Sequence, residues 1–306
     1  MTLSIGRNGR HARSIESIRN CRLHCSNQSL SNVHIEHGRI SAISLCQDDQ
    51  DNEKSSAGSA NVDARGRLLL PSFCHAHIHL DKCFILQDPK YKDHSINHGN
   101  FGEAMRITGE AKKDFEADDL RRRGRWLVQE SIAAGVTAMR VFVEVDEVVE
   151  QRAVDAAIAL KSEFADLCYL QICAFAQLAL FEPGETGNKR KELLSQALMF
   201  PEVEVVGSTP YVEHDRAASE ENIQWTIGKA LSCEKHLDFH LDYHLDSDTK
   251  PIVGYVVQAL DRANWPTSTV RLLTEVNWAL RCCTTCLRER GLTSETCVSH
   301  VTDSHR

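Results

Sequence analysis

Three histidines alternate with smaller residues in Cys74-His75-Ala76-His77-Ile78-His79-Leu80-Asp81-Lys82. Residues two apart on a strand project to one face, so His75, His77 and His79 stand in a row. Neutral imidazoles presented together are good ligands for zinc or iron. The preceding Leu68-Leu69-Leu70 is apolar on both faces, which predicts a strand buried on both sides, as in a parallel sheet. The carboxyl end of such a strand is where α/β barrels carry their chemistry. A second cluster lies in Leu237-Asp238-Phe239-His240-Leu241-Asp242-Tyr243-His244-Leu245-Asp246. A strand running that far would put His240, Asp242 and His244 on one face.

Gly66-Arg67-Leu68-Leu69-Leu70-Pro71 followed by His77-Ile78-His79-Leu80-Asp81-Lys82 resembles the first barrel strand of the amidohydrolase superfamily, and within it the cytosine deaminase branch. The resemblance implies a TIM-type barrel holding one divalent metal ion, zinc or iron. It assigns His77 and His79 as metal ligands and His240 as the third, with His75 outside the matched pair. The implied reaction is attack of metal-activated water on a ring carbon bearing nitrogen, with loss of ammonia or an amine. Tyr169 to Gln177 resembles the branch too, and implies that Gln177 hydrogen-bonds the substrate ring, since an amide both donates and accepts. Val206 to Glu213 matches the fourth strand and its loop, which makes Glu213 a candidate for lining the pocket.

The chain departs from the branch three residues beyond His240, where a glutamate moves protons and this sequence has Tyr243. A phenol with an ordinary pKa of about 10 is a poor shuttle near neutrality. Asp242 and Tyr243 are the candidate catalytic groups at this end. The change points away from cytosine itself, towards another cytosine-like cyclic amidine among small nitrogen heterocycles. Hydrolysis of a cyclic amide or N-substituted amine on the same scaffold is the alternative enzyme. A remnant that binds metal or a partner without turnover is the alternative of another class.

The elements that must position these groups alternate. Residues 1–14 read as disordered, and 15–66 as a small β domain in which His37-Gly38 forms a hairpin turn. Residues 47–59 form a surface loop, and 84–114 a long loop placed to act as a lid. Strands are expected over 136–145, 167–175, 203–207 and 236–241. Helices are expected over 115–134, from 149 to 160, and around 189–198, 223–231 and 251–263, with Gly135 ending the first. Together with the histidine strand this predicts an α/β fold, a (β/α) barrel of the TIM type represented by about five units over 67–263.

Residues 264–306 break the rhythm and form an atypical tail. The sixth-strand histidine and eighth-strand aspartate that the resemblance implies are not assignable there. Five units would leave the first and fifth strands as open edges, which favours poor stability alone and association into homo-oligomers. Trp278-Ala279 is encoded so that reading one base later yields glycine and permits histidine, hence the expectation of a frame or splice change. Cys283, Cys286, Cys297 and His300 are spaced loosely like a zinc site but read as a chance run.

Composition excludes other classes. The 306 residues carry 35 Lys and Arg against 43 Asp and Glu, so no basic footprint for nucleic acid is expected. Arg121-Arg122-Arg123 reads as a solvated helix face. No apolar run approaches the roughly 20 residues that cross a bilayer, and the polar N-terminus is no secretory signal. Twelve cysteines in a chain of this size are expected as reduced thiols in the cytoplasm.

Overall fold

The computed structural model describes residues 15–23, 29–46, 60–92, 96–242 and 248–266. The described residues divide into two compact units, one ending at Pro71 and the other beginning at Ser72.

The first unit is a small sheet of β1 (Ile15–Leu23), β2 (Leu30–Glu36), β3 (Arg39–Leu45), β4 (Ala60–Asp63) and β5 (Leu68–Leu69). Its order is β3-β2-β1-β4, with β5 also pairing β1. β2 and β3 form the expected hairpin, and both turn residues, His37 and Gly38, take positive φ, as a two-residue turn matched to strand twist requires. Cys21 and Val33 are its buried apolar residues.

Here one expectation fails. Leu68-Leu69 does not lead into the histidine strand but pairs in parallel with Arg22-Leu23. Leu68 and Leu70 are exposed, and Pro71, which cannot donate to a ladder, separates them from β6 (Phe73–His79). The apolar run belongs to a different sheet from the histidines.

The second unit carries five parallel strands in the order β10-β9-β8-β7-β6. They are β6, β7 (Val136–Glu144), β8 (Tyr169–Ala176), β9 (Val203–Ser208) and β10 (His236–Phe239). Parallel neighbours need long crossovers, supplied by α2 (Ala117–Ala133), α3 (Arg152–Glu163), α4 (Glu185–Ala197) and α5 (Arg216–Ser232). α6 (Val253–Arg262) follows β10. Five βα units are therefore present, as expected. β6 and β10 are the end strands among the described residues, and β6 is only half-buried instead of covered on both sides.

Alternation on these strands divides two cores. Met139, Val141 and Val143 of β7 join Leu170, Ile172 and Ala174 of β8 and the helices in the large apolar cluster. Phe142, Cys173, Phe175 and Val205 form a second cluster on the other face. The sheet is curled about that second face. Laid flat at about 4.8 Å per strand, its end strands would be roughly 19 Å apart, yet the rings of His77 on β6 and of His240, the residue after β10, have centroids 4.5 Å apart. This is a half-barrel with its inner face towards the histidines.

The stretch after β6 is more structured than a loop. It holds two short 3-10 turns and α1 (Phe101–Lys112). The Asn100 side chain accepts from the Glu103 N–H at 2.9 Å, while the Glu103 carboxylate accepts from the N–H groups of Asn97, His98 and Gly99 at 2.7 Å each. This reciprocal capping starts the helix where its apolar periodicity is weak.

Residues 1–14 and 47–59, the tail from 267 with its Cys283/Cys286/Cys297/His300 run, and the Trp278-Ala279 junction lie outside the described residues. Among the described residues no helix is long and apolar enough to cross a membrane. The described cysteines are free thiols.

Candidate metal centre

The inner face of the half-barrel is layered. Its lowest layer is polar and closed: Arg140 on β7 donates from Nη1 to Asp238 of β10 at 2.7 Å and from Nε to Gln171 of β8 at 2.8 Å. All three are buried. An arginine satisfies such a site because its planar fork reaches two acceptors at once. The contact ties β7 to β10 across the inside of the curl.

Above it lies an aromatic layer. Phe142 and Phe175 meet edge to face at 5.3 Å. Gly207 on β9 leaves room for them: a Cβ there would lie 2.7 Å from Phe175 and 2.8 Å from the Cys173 sulfur.

On this floor stand His77, His79 and His240, and they form a cluster with ligand nitrogens all within 4.8 Å of one another. His77 and His79 follow from the two-residue repeat of β6. His240 lies just past β10, its N–H still bonded to the Ser208 carbonyl at 3.0 Å, two residues beyond Asp238. Phe142 packs 4.5 Å from His77, and Phe175 4.3 Å from His240. His75 is not in the cluster.

The donor set suits a metal ion. His77 Nε2 and His79 Nε2 are 3.2 Å apart. Two nitrogens at 2.0–2.1 Å from one tetrahedral ion would be about 3.3 Å apart. His240 Nε2 is buried with no hydrogen-bond partner, a cost that ligation would relieve. Burial first, then the charges of His77 and Lys82, brings the His240 imidazole down to about 3. Burial, followed by Lys82, His240 and His77, likewise holds His79 well below its ordinary value. Both rings are neutral near pH 7, the form that ligates metal.

A charged cluster at the carboxyl ends of β6, β7 and β8 carries no sequence-based expectation. Lys82 donates to Gln177 Oε1 at 3.0 Å and pairs with Glu144 at 3.4 Å. Lys112 of α1 pairs with Glu144 at 2.9 Å and with Asp146. Burial alone would lower the Lys112 pKa, but these two carboxylates hold it above the ordinary lysine value. Asp81 accepts from the Glu144 N–H at 2.9 Å, and burial holds its carboxyl above the ordinary range against the pull of Lys82. A lysine directly after the histidine strand and a glutamate ending the next one were the available signals. Lys112 gave none, because it comes from a helix that the weak periodicity hid.

The remaining expected residues fall in different places. Gln177 is buried beside Lys82, and Thr209 Oγ1 donates to its backbone carbonyl at 2.9 Å. Its side-chain oxygen being taken by Lys82, its Nε2 is a buried donor with no protein partner. Glu213 is also buried, but its carboxylate accepts from Leu180 N–H and Asn222 at 2.7 Å and from Phe181 N–H at 3.1 Å. Those bonds pin the loop after β8 to α5, a structural task in place of the expected pocket lining.

Asp242 requires a correction as well. β10 ends at Phe239, so the alternation that would align Asp242 with His240 does not continue. Asp242 takes φ +52° and turns to α6, accepting from Ile252 N–H at 2.7 Å and Val253 N–H at 3.2 Å. It holds a helix start. Tyr243, His244 and Asp246 lie outside the described residues.

No family model matches the chain. It is 26% identical over 177 residues to N-isopropylammelide isopropyl amidohydrolase of Pseudomonas sp. (strain ADP), which is 58% of this chain and 41% of that protein. The crystal structure of 5-methylcytosine deaminase from Klebsiella pneumoniae liganded with 5-fluorocytosine superposes with a TM-score of 0.69 at 26% identity, covering 81% of this chain and 56% of that one. N-isopropylammelide isopropylaminohydrolase from Burkholderia multivorans ATCC 17616 shares the fold, with a TM-score of 0.61 at 23% identity over 81% of this chain and 57% of that one. The chain thus spans about half the length of these relatives.

Proposed function

We propose, from the premise that the chain belongs to the amidohydrolase superfamily, that it is a metal-dependent hydrolase of non-peptide C–N bonds. Its substrate in this reading is a small cytosine-like nitrogen heterocycle. The observation that carries the reading is the convergence of His77, His79 and His240 from the two end strands of the sheet onto one buried point. The same three residues would hold one divalent ion, zinc or iron. When bound, that ion supplies a water of lowered pKa and polarises the attacked carbon.

The chain's own groups have separable tasks. Phe142 and Phe175 form a dry wall behind the imidazoles, which strengthens electrostatic contacts made in front of it. Gln177 accepts from Lys82, so its free Nε2 would donate to an acceptor on the ring. Lys82, held between Gln177 and Glu144, would place a positive charge at the same edge and favour a substrate edge rich in acceptors. The proton-moving position is taken by Tyr243, so turnover would not use a glutamate there.

Ammonia and amine release by the zinc- or iron-loaded chain, on a panel of pyrimidines and triazines, tests this reading. Release that disappears in Gln177→Ala while metal content is retained supports it. Metal bound at one ion per chain without release from any compound would favour the non-catalytic metal-binding reading. That reading draws on the cluster being three imidazoles and no carboxylate.

A further inference from the structure

The run Arg121-Arg122-Arg123 on α2 meets its expectation as a solvated helix face only in part. Arg121 and Arg122 reach solvent, whereas Arg123 is fully buried, with 0% of its surface exposed. A guanidinium out of reach of water has to satisfy its donors within the protein. Asp119, one turn earlier on α2, accepts from its Nε at 3.1 Å and from its Nη2 at 3.0 Å. The Tyr91 hydroxyl donates to the same carboxylate oxygen at 2.7 Å, and the Phe115 ring centre lies 4.8 Å from the guanidinium carbon. Nη1 faces the other way, donating to the Asp81 and Cys83 carbonyls at 2.7 Å each.

Those two carbonyls flank Lys82. Leu80 to Phe84 forms a turn, so its backbone groups are held by partners from elsewhere. Phe84 closes the turn at φ +58°, a conformation that a non-glycine residue keeps only where its surroundings enforce it. Stacking on Trp126, with ring centroids 4.2 Å apart, does so. From this turn the Lys82 side chain reaches Gln177 Oε1 at 3.0 Å and Glu144 at 3.4 Å. A long lysine side chain loses much freedom when fixed at one point, and it is aimed only as well as its backbone is held. We propose that Arg123 is a positioning residue for substrate recognition. By bonding the carbonyls on both sides of Lys82 it aims that ammonium at Gln177 Oε1, which leaves Gln177 Nε2 as the donor presented to the ring. The inference rests on the heterocycle reading above, in which Lys82 and Gln177 meet the substrate edge. The task needs a planar fork: a lysine at this position keeps a charge opposite Asp119 but does not span the carboxylate and both carbonyls.

Native-state acetylation of the zinc-loaded full chain tests this, with the rate at Lys82 read against that at Lys161 by peptide mass spectrometry. Lys161 is a suitable reference because its side chain is 21% exposed and ion-paired, against 18% for Lys82. Arg123→Lys is expected to raise the ratio about tenfold, the effect of losing a bond made by a charged group. Val128→Ala, a core truncation on the same helix, should lower stability and leave the ratio unchanged. Where Arg123→Lys does not fold, Arg123→Met with Asp119→Asn, which leaves no unpaired buried charge, carries the same expectation. The second readout is calorimetric binding of cytosine and of ammelide. Arg123→Lys should weaken it, and should weaken it no further once Lys82→Met is present. An unchanged ratio in the Arg123 variant, or a ratio raised as much by Val128→Ala, would overturn the positioning role. So would additive losses of affinity with Lys82→Met, or failure of both Arg123 variants to fold. A raised ratio with neither compound bound by the wild type would overturn the heterocycle reading and leave the hold of Arg123 on Lys82 standing.

Discussion

Replacing Arg140 by methionine removes the guanidinium that crosses the inside of the curled sheet. Arg140 has 0% and Asp238 3% of its surface exposed, so the substitution leaves a carboxylate in a site that water does not reach. Breaking a buried ion pair from one side costs about 3–5 kcal/mol, to which the lost bond to Gln171 adds. Against a total domain stability of about 5–15 kcal/mol, Arg140→Met should bring the chain close to unfolding at 25 °C. Removing both charges is different in kind: Arg140→Met with Asp238→Leu leaves no uncompensated charge, and most of the loss should return. The assay is urea unfolding at pH 7 of the wild type, both single variants and the double variant. A coupling of at least about 2 kcal/mol is expected. Because Asp238 is two residues before His240, the single variants should also hold zinc more weakly than the double variant does. Additivity within about 0.5 kcal/mol would refute the assignment of this pair as the strut between β7 and β10.

Asp242→Ala should cost about 1 kcal/mol, the usual value of a lost helix cap, and leave metal content unchanged; lost metal with undiminished stability would return Asp242 to the centre. Asp119 gives a pH prediction: burial acts to raise its carboxyl, but bonds from Arg123 and Tyr91 outweigh burial and hold it below the ordinary value. Its contribution is therefore fully present above the unfolded-state value near 4 and is lost as pH falls through the lower folded-state value. Urea midpoints of Asp119→Asn should then depend less on pH than those of the wild type below about pH 4, and parallel curves would contradict this.

What could be read from the residues follows the range of the interactions. Strand periodicity, being local, set His75, His77 and His79 in one row, but singling out His77 and His79 came through resemblance; five βα units were legible because each has its own apolar pattern. His240 came through resemblance, since spacing alone does not say that a residue 161 positions after His79 folds onto it. Asp242 was misplaced because strand alternation holds only while the strand lasts, and β10 stops at Phe239. Leu68 to Leu70 was assigned to the wrong sheet because an apolar run does not show which partner it pairs with, although Pro71 marked the break. Arg140 looked like an ordinary residue in a β run. Its role depends on Asp238, 98 residues away, and on the sheet curling far enough to bring them together. Glu213 was expected through resemblance to line the pocket, and its role as a hub for three donors was not legible, because those come from a loop and a helix.

The central claim is that imidazoles from the two end strands make one metal site. It is tested most directly by measuring zinc and iron per chain by elemental analysis after dialysis, for the wild type and for His77→Ala, His79→Ala, His240→Ala and His75→Ala. One ion per chain is expected in the wild type and in His75→Ala, with a clear loss in each of the other three. A folded His240→Ala protein that keeps one ion at wild-type affinity would contradict the site.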